Sequence, residues 1–331
     1  MSLKIAIAGL KGHQGTITGG IPLIEGAELV AVCDDSPDAL AGVPNWPCAN
    51  ANTRTYTDWR EMLENEEIDI LGEAGVDSER HQILIAAANK GIHCLCEKPL
   101  VNALPDLADV RRAVEENGIH LSMLLTMRFE PAYRLVRQVI ADGGIGEVCL
   151  ATFQKSYRLG NRPEWQRSSA TFSGIIPFIG IHALDCIRWC TGREFTQVFG
   201  YCSNVAHPDI RDMEDQGQVL CRLDNGGTAS ARLDYCRPAA APTHGDDRIR
   251  VAGDRGVIES TACGSRVTLI DAEKGEVELE LPPAPENQFV NFVRSVRGEC
   301  DCDVPAEDCL RMTEIVLKAR ASARKGITFA L

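Results

Sequence analysis

Two short stretches carry residue types that proton chemistry requires. The first is Cys94-Leu95-Cys96-Glu97-Lys98-Pro99-Leu100, an apolar run that stops at an acid, a base and a proline. A buried strand ending this way delivers charge to the carboxyl edge of a sheet, where open α/β sheets bind ligands. An ammonium such as Lys98 gives or takes a proton readily once partly desolvated, and the proline restricts the backbone beside it and allows a cis bond. The second stretch runs from Pro177 to Trp189. Pro177 suits a first helical turn, and Phe178, His182, Asp185, Cys186 and Trp189 then recur at helical spacing on one face. An imidazole there is a proton donor or acceptor near neutral pH. Both have ordinary readings: Lys98 as a surface lysine at a strand-to-helix turn, His182 as a core histidine bonded to Asp185.

The elements that must position these groups begin at once. Leu3 to Ala8 reads as a buried strand, followed by Gly9-Leu10-Lys11-Gly12-His13-Gln14-Gly15. Glycines after a first strand let the backbone approach a pyrophosphate, and the next helix offers free amide groups. The spacing is G-x-x-G-x-x-G, with the first glycine one residue from its usual place. Gly19, Gly20 and Pro22 predict a short or distorted helix. A second strand, Glu28 to Cys33, ends in Asp34, nineteen residues beyond Gly15. An acid there accepts hydrogen bonds from ribose hydroxyls and repels a 2'-phosphate, which favours NAD over NADP. Capping a helix at Ser36-Pro37 is the plain alternative for Asp34.

Further on, Asp58 suits a cap for a helix through Leu63, Ile68 to Ala74 reads as a strand, and Ser78 as the cap of a helix closed by Gly91, with His81 in its first turn. A strand (Ile92 to Cys96), a helix (Pro105 to Asn117) and another strand (Ile119 to Leu125) follow. Strands alternating with helices predict a doubly wound parallel sheet over residues 1–125. From residue 126 the pattern changes. Asn225-Gly226-Gly227, Asp254-Arg255-Gly256 and Lys274-Gly275, each between alternating apolar residues, are hairpin signals. They predict that residues 126–331 form an α+β domain with a large, mainly antiparallel open sheet.

Composition narrows the classes. The 331 residues carry 47 acidic and 34 basic side chains, a net charge of -13, and no basic run suited to nucleic acid. No stretch reaches the roughly 18 apolar residues of a membrane span, and no leader pattern opens the chain, so a soluble cytoplasmic protein is expected. The fourteen cysteines, among them Cys33, Cys94, Cys96, Cys149 and Cys221, sit mostly in apolar runs and are expected to be reduced and buried. Cys300-x-Cys302 with Cys309 is a weak metal signal, and no metal is expected.

The order of these motifs resembles the Gfo/Idh/MocA family, the glucose-fructose oxidoreductase and inositol dehydrogenase type. The resemblance spans the chain: the turn at 9–15, Asp34, His81, Glu97-Lys98-Pro99, Arg128-Phe129, Gly146-Glu147-Val148, His182-x-x-Asp185, Val251 to Gly256 and a C-terminal helix pair. It implies a Rossmann domain and an NAD(P)-dependent enzyme acting on CH–OH groups. It also implies that the residues matching Lys98 and His182 meet at the nicotinamide, where a sugar or polyol gives up hydride while its hydroxyl loses a proton. The cofactor would be held by Gly9, Lys11, Gly12, His13, Gln14, Gly15, Asp34, His81, Glu97 and Lys98. Two positions depart from the pattern: Phe178 stands where many members carry an aspartate, and Val76-Asp77 replaces proline and asparagine. With Phe178 unable to hold the imidazole, Asp185 is expected to orient it.

Arg158, Arg162, Trp165 and Arg167, in the irregular stretch Tyr157 to Ser173, supply cations and an aromatic platform suited to a carbohydrate-like substrate, with Tyr235 and His244 as further candidates. A sheet covered on one face predicts a homodimer or homotetramer through the C-terminal sheet. Two other functions fit the same site: an NAD-dependent glycosidase working by transient oxidation and elimination, and a catalytically silent dinucleotide sensor.

Overall fold

The computed structural model describes residues 2–210 and 212–331. They form two compact units, one of residues up to Leu124 together with Glu286–Thr313, the other of Leu125–Pro285 together with Glu314–Leu331.

In the first unit, strands β1 (Leu3–Ala8), β2 (Ala27–Cys33), β3 (Arg54–Tyr56), β4 (Ile70–Glu73), β5 (His93–Cys96) and β6 (Leu121–Met123) make a parallel sheet in the order β3-β2-β1-β4-β5-β6. Helices α1 (Gly15–Gly20), α2 (Pro37–Leu40), α3 (Trp59–Asn65), α4 (Arg80–Ala88) and α5 (Leu104–Asn117) alternate with them. The strands are nearly continuous apolar runs because helices cover both faces of such a sheet. The strand order reverses beside β1, which pairs with β2 on one side and β4 on the other. That reversal opens a crevice at the carboxyl ends of the strands.

Several expected boundaries hold, including the Asp58 cap, whose carboxylate accepts from Arg60 N–H. Ser78 does not cap α4: that position falls to Glu79, without a side-chain cap. The domain boundary at 125 is also incomplete, because α8 (Gln288–Val296) belongs to the first unit. Its Phe289, Phe292 and Val293 fill the core made by Ile5, Ile7, Ile17, Ile21, Leu29 and Leu95. The apolar face of α8 could be read from sequence, but not the sheet against which it packs.

The second unit holds α6 (Pro131–Ala141), β7 (Val148–Ser156), α7 (Ile181–Thr191), β8 (Phe195–Ser203), β9 (Gln216–Leu223), β10 (Thr228–Asp234), β11 (Arg248–Gly253), β12 (Gly256–Thr261), β13 (Arg266–Asp271), β14 (Gly275–Leu279) and β15 (Phe329–Ala330). Helix α9 (Ala306–Lys325) joins this unit from Glu314 onward. The nine strands run β14-β13-β12-β11-β7-β10-β9-β8-β15, antiparallel except for the pair β7 and β10. The three hairpin signals lie at the expected turns. Helices α6 and α7 pack on one face; the other leaves Leu150, Tyr201 and Leu220 exposed. All fourteen cysteines are free thiols. Cys149 is exposed rather than buried; it precedes the alternating inward positions of β7.

Candidate active site

The glycine turn is stitched into the crevice by its backbone: Gly9 N–H donates to Cys33 O at 2.7 Å and Lys11 N–H to Ala74 O at 2.9 Å. Gly9 has φ +87° and lies against the backbone of Gly75, so a side chain there would be strained and would collide. Glu97, at the end of β5, reaches across to the same turn. Its Oε1 accepts from His13 N–H and lies 2.6 Å from His13 Nδ1. Gly12 faces that carboxylate so closely that a Cβ would overlap it. Burial pushes the Glu97 carboxyl up, but Lys98, with Nζ 3.8 Å away, and His13 outweigh it and hold the group well below the usual carboxylate range. Glu97 is therefore an ionised brace between the glycine turn and Lys98. Lys98 is 2% exposed, which excludes the surface-lysine reading. The bond to Pro99 is cis.

Asp34 is 3% exposed at the end of β2. One oxygen accepts from Leu10 N–H at 2.7 Å and the other from Ser36 N–H at 2.9 Å. The helix cap falls to Ser36, whose side chain accepts from Ala39 N–H, so the cap reading of Asp34 does not hold, and its carboxylate has lone pairs left for a ribose. A cavity of about 260 Å³ opens beside it, lined by Gly9, Lys11, Asp34, Asp58, Arg60 and Glu79 among others. Lys11 pairs with Asp35 at 2.6 Å and holds that carboxyl low. Gln14 Oε1 and His81 Nδ1 are buried without a hydrogen-bond partner among the described residues. A polar ligand along the turn would relieve that cost. These residues fit a dinucleotide.

In the second unit, a turn of π-helix at Ile176–Gly180 precedes α7. The four-residue step from Phe178 to His182 therefore spans a wider turn than the regular spacing assumed. Phe178 packs edge-on against Phe172 and Trp165, with ring centroids 5.0 and 6.1 Å away. His182 is 9% exposed. Asp185 does not take the orienting role expected of it. Its Oδ2 accepts from Arg128 Nε at 2.9 Å and its Oδ1 from Arg128 Nη2 at 2.5 Å, both side chains being 2% exposed. A guanidinium fork matches a carboxylate better than an imidazole on the same helix can.

The substrate candidates fall into two clusters. Arg162 lies over the Tyr235 ring at 4.1 Å and donates to Gln166 at 3.0 Å, while Trp165 joins the Phe172 and Phe178 rings. Arg158 keeps a buried Nε without a partner among the described residues. His244 stacks on Tyr157, and its carbonyl accepts from Arg158 N–H at 3.0 Å.

Two charged groups escaped sequence reasoning. Lys155 points inward from β7, 2% exposed, with Nζ 2.6 Å from Asp247 Oδ2, an oxygen that also accepts from Tyr157 at 3.2 Å. Its signal was a lysine in register with Ala151 and Phe153 on the apolar face of an alternating strand. Nearby, burial chiefly, and Asp247 as well, push the Glu130 carboxyl up to about 7 against the pull of Lys155. The other is Arg80, buried against Glu73. Among the described residues, no three His, Cys, Asp or Glu side chains gather to hold a metal ion.

A doubly wound sheet with a braced glycine turn, an acid at the end of β2 and a buried lysine at the end of β5 has the architecture of a dinucleotide-binding unit. Residues 3–124 match the family described as oxidoreductase family, NAD-binding Rossmann fold, and residues 133–259 match the GFO/IDH/MocA C-terminal domain. An oxidoreductase structure from Thermotoga maritima superposes with a TM-score of 0.93 at 34% identity, covering 99% of this chain and 100% of that one. D-apiose dehydrogenase of Paraburkholderia graminis is 24% identical over 93% of this chain and 84% of its own length. Myo-inositol 2-dehydrogenase of Thermotoga maritima is 26% identical over 83% and 80%. The chain belongs to the GFO/IDH/MocA oxidoreductase family.

Proposed function

We propose that this chain is an NAD-linked dehydrogenase or reductase acting on the CH–OH group of a sugar, polyol or sugar derivative. The observation that carries the reading is Lys98, buried at the carboxyl edge of the sheet beside an ionised Glu97 that braces the glycine turn. The names of the D-apiose and myo-inositol relatives support the substrate class. The turn from Gly9 to Gly15 with Lys11, His13 and Gln14, together with Asp34 and His81, would hold NAD, which supplies the hydride acceptor or donor. Lys98 and His182 exchange the substrate hydroxyl proton. Arg158, Arg162, Trp165, Phe178 and Tyr235 bind and orient the substrate. Asp34 makes NAD the preferred cofactor.

A homo-oligomer through the open sheet face would cover Leu150, Leu220 and Tyr201. Light scattering of Leu220→Asp should then report a smaller species than wild type. Fourteen free thiols suit a reducing cytoplasm. The decisive experiment is a sugar and polyol panel with NAD and NADP in parallel. Accumulation of NADH with at least one substrate is expected. Glycoside cleavage with NAD unchanged would replace the proposal with transient oxidation and elimination.

A further inference from the structure

The first unit contains a buried ionic network that cofactor binding as described does not use. Arg80, 1% exposed, opens α4. Its Nε donates to Glu73 Oε2 at 2.5 Å, Nη1 to the Pro99 carbonyl at 2.6 Å, Nη2 to the Gly75 carbonyl at 3.1 Å, and both terminal nitrogens approach Asp77 Oδ1 at 3.3 Å. Glu73 also accepts from Gly75 N–H at 2.8 Å, and its own carbonyl accepts from Glu97 N–H at 2.8 Å. One rigid fork thus ties the ends of β4 and β5 to the loop between β4 and α4. An apolar pair of similar volume would serve stability as well or better, because burying such ions costs several kcal/mol. Stability alone does not account for the arrangement.

We propose that Arg80 is a positioning residue for Lys98: by holding the Pro99 carbonyl it fixes the residue that follows Lys98, and its charge offsets the carboxylates gathered behind that lysine. The inference rests on Lys98 being the proton-transferring group proposed above. Glu97 stands beside Lys98 with His13 on its other oxygen, and Glu73, Asp77, Arg80 and the Cys96 thiol, held neutral by burial, lie behind. Burial already pushes the Glu73 carboxyl up against the pull of Arg80; once the Arg80 charge is removed, the negative charge left on Asp77 and Glu97 makes Lys98 keep its proton to higher pH.

The test compares kcat/KM against pH for Arg80→Met, Arg80→Lys, the double variant Glu73→Gln/Arg80→Met, and Lys98→Met, with NAD and the substrate found in the panel. Arg80→Met should lose at least roughly tenfold in kcat and move the limb belonging to Lys98 upward by about one unit. Arg80→Lys keeps the charge but not the fork, so the limb should stay while kcat falls. The double variant removes one charge of each sign and guards against misfolding of the single one; its limb should stay near wild type with kcat still low. Arg80→Met and the double variant with normal kcat and an unmoved limb, while Lys98→Met is inactive, would overturn the inference. So would a fall in kcat in Arg80→Met that tracks a lower melting temperature with no limb shift. Turnover retained by Lys98→Met would instead refute the role of Lys98, and this inference with it.

Discussion

Replacing Asp185 with Asn removes the carboxylate that faces the buried Arg128 guanidinium. Both side chains are 2% exposed and joined through two hydrogen bonds, at 2.9 and 2.5 Å. Arg128 also stands over the Trp189 ring at 5.7 Å, so it cannot swing to solvent without opening the packing of α7. Breaking one side of such a pair typically costs about 3–5 kcal/mol, whereas replacing both sides with apolar groups is often nearly neutral. At about 2–4 °C per kcal/mol for a unit of this size, the second unit of Asp185→Asn should melt roughly 6–20 °C below wild type. Arg128→Met should behave similarly. The double variant Arg128→Met/Asp185→Leu should recover most of the loss, a coupling that a double-mutant cycle by calorimetry would read directly. Activity in Asp185→Asn should then fall through loss of folded protein, with an unchanged pH profile for the fraction that remains folded. An Asp185→Asn variant that melts like wild type but shows reduced turnover and a displaced pH profile would refute this reasoning, and would return Asp185 to the task of holding His182.

Three further outcomes are expected. In the proposed site the Asp34 charge faces the position of a 2'-phosphate; at about 4 Å and an effective dielectric near 20 the repulsion is a few kcal/mol, so titration should show NAD bound at least roughly a hundredfold tighter than NADP, with Asp34→Ser narrowing the gap. Lys98→Met should retain NAD affinity while turnover drops by at least the ~10²-fold typical of a lost acid–base group, and near-normal activity would exclude that role. The Glu130 carboxyl, raised to about 7, binds its proton more tightly folded than unfolded, so its contribution is greatest below the ordinary carboxylate range and is lost as pH rises through about 7. Glu130→Gln should therefore be more stable than wild type at pH 8, by at most about 3 kcal/mol, and nearly equal to it near pH 4.5; denaturant melts at the two pH values check this, and equal stability at pH 8 would count against it.

What could be read from the sequence was whatever depends on neighbours along the chain. Alternating strands and helices, the distorted helix after Gly15, the Asp58 cap and the hairpin glycines are consequences of local backbone preference and apolar period, and the structure has them where expected. Asp34 and Glu97-Lys98-Pro99 were legible for a related reason: a strand that ends in charge must present it at the sheet edge. What only the tertiary structure decided was pairing between distant residues. Glu97 reaching His13 and Gly12, Arg128 claiming Asp185, and Arg80 gripping Pro99 join elements separated by other strands. The same holds for α8, whose apolar stripe fits many surfaces until the first sheet and its helices leave one open. A carboxylate on a helix has several cations within the chain to choose from, and sequence spacing ranks only the local ones. The buried partner is chosen by which guanidinium the packed elements bring within hydrogen-bond reach, because in a low-dielectric interior the pair that forms best excludes the others.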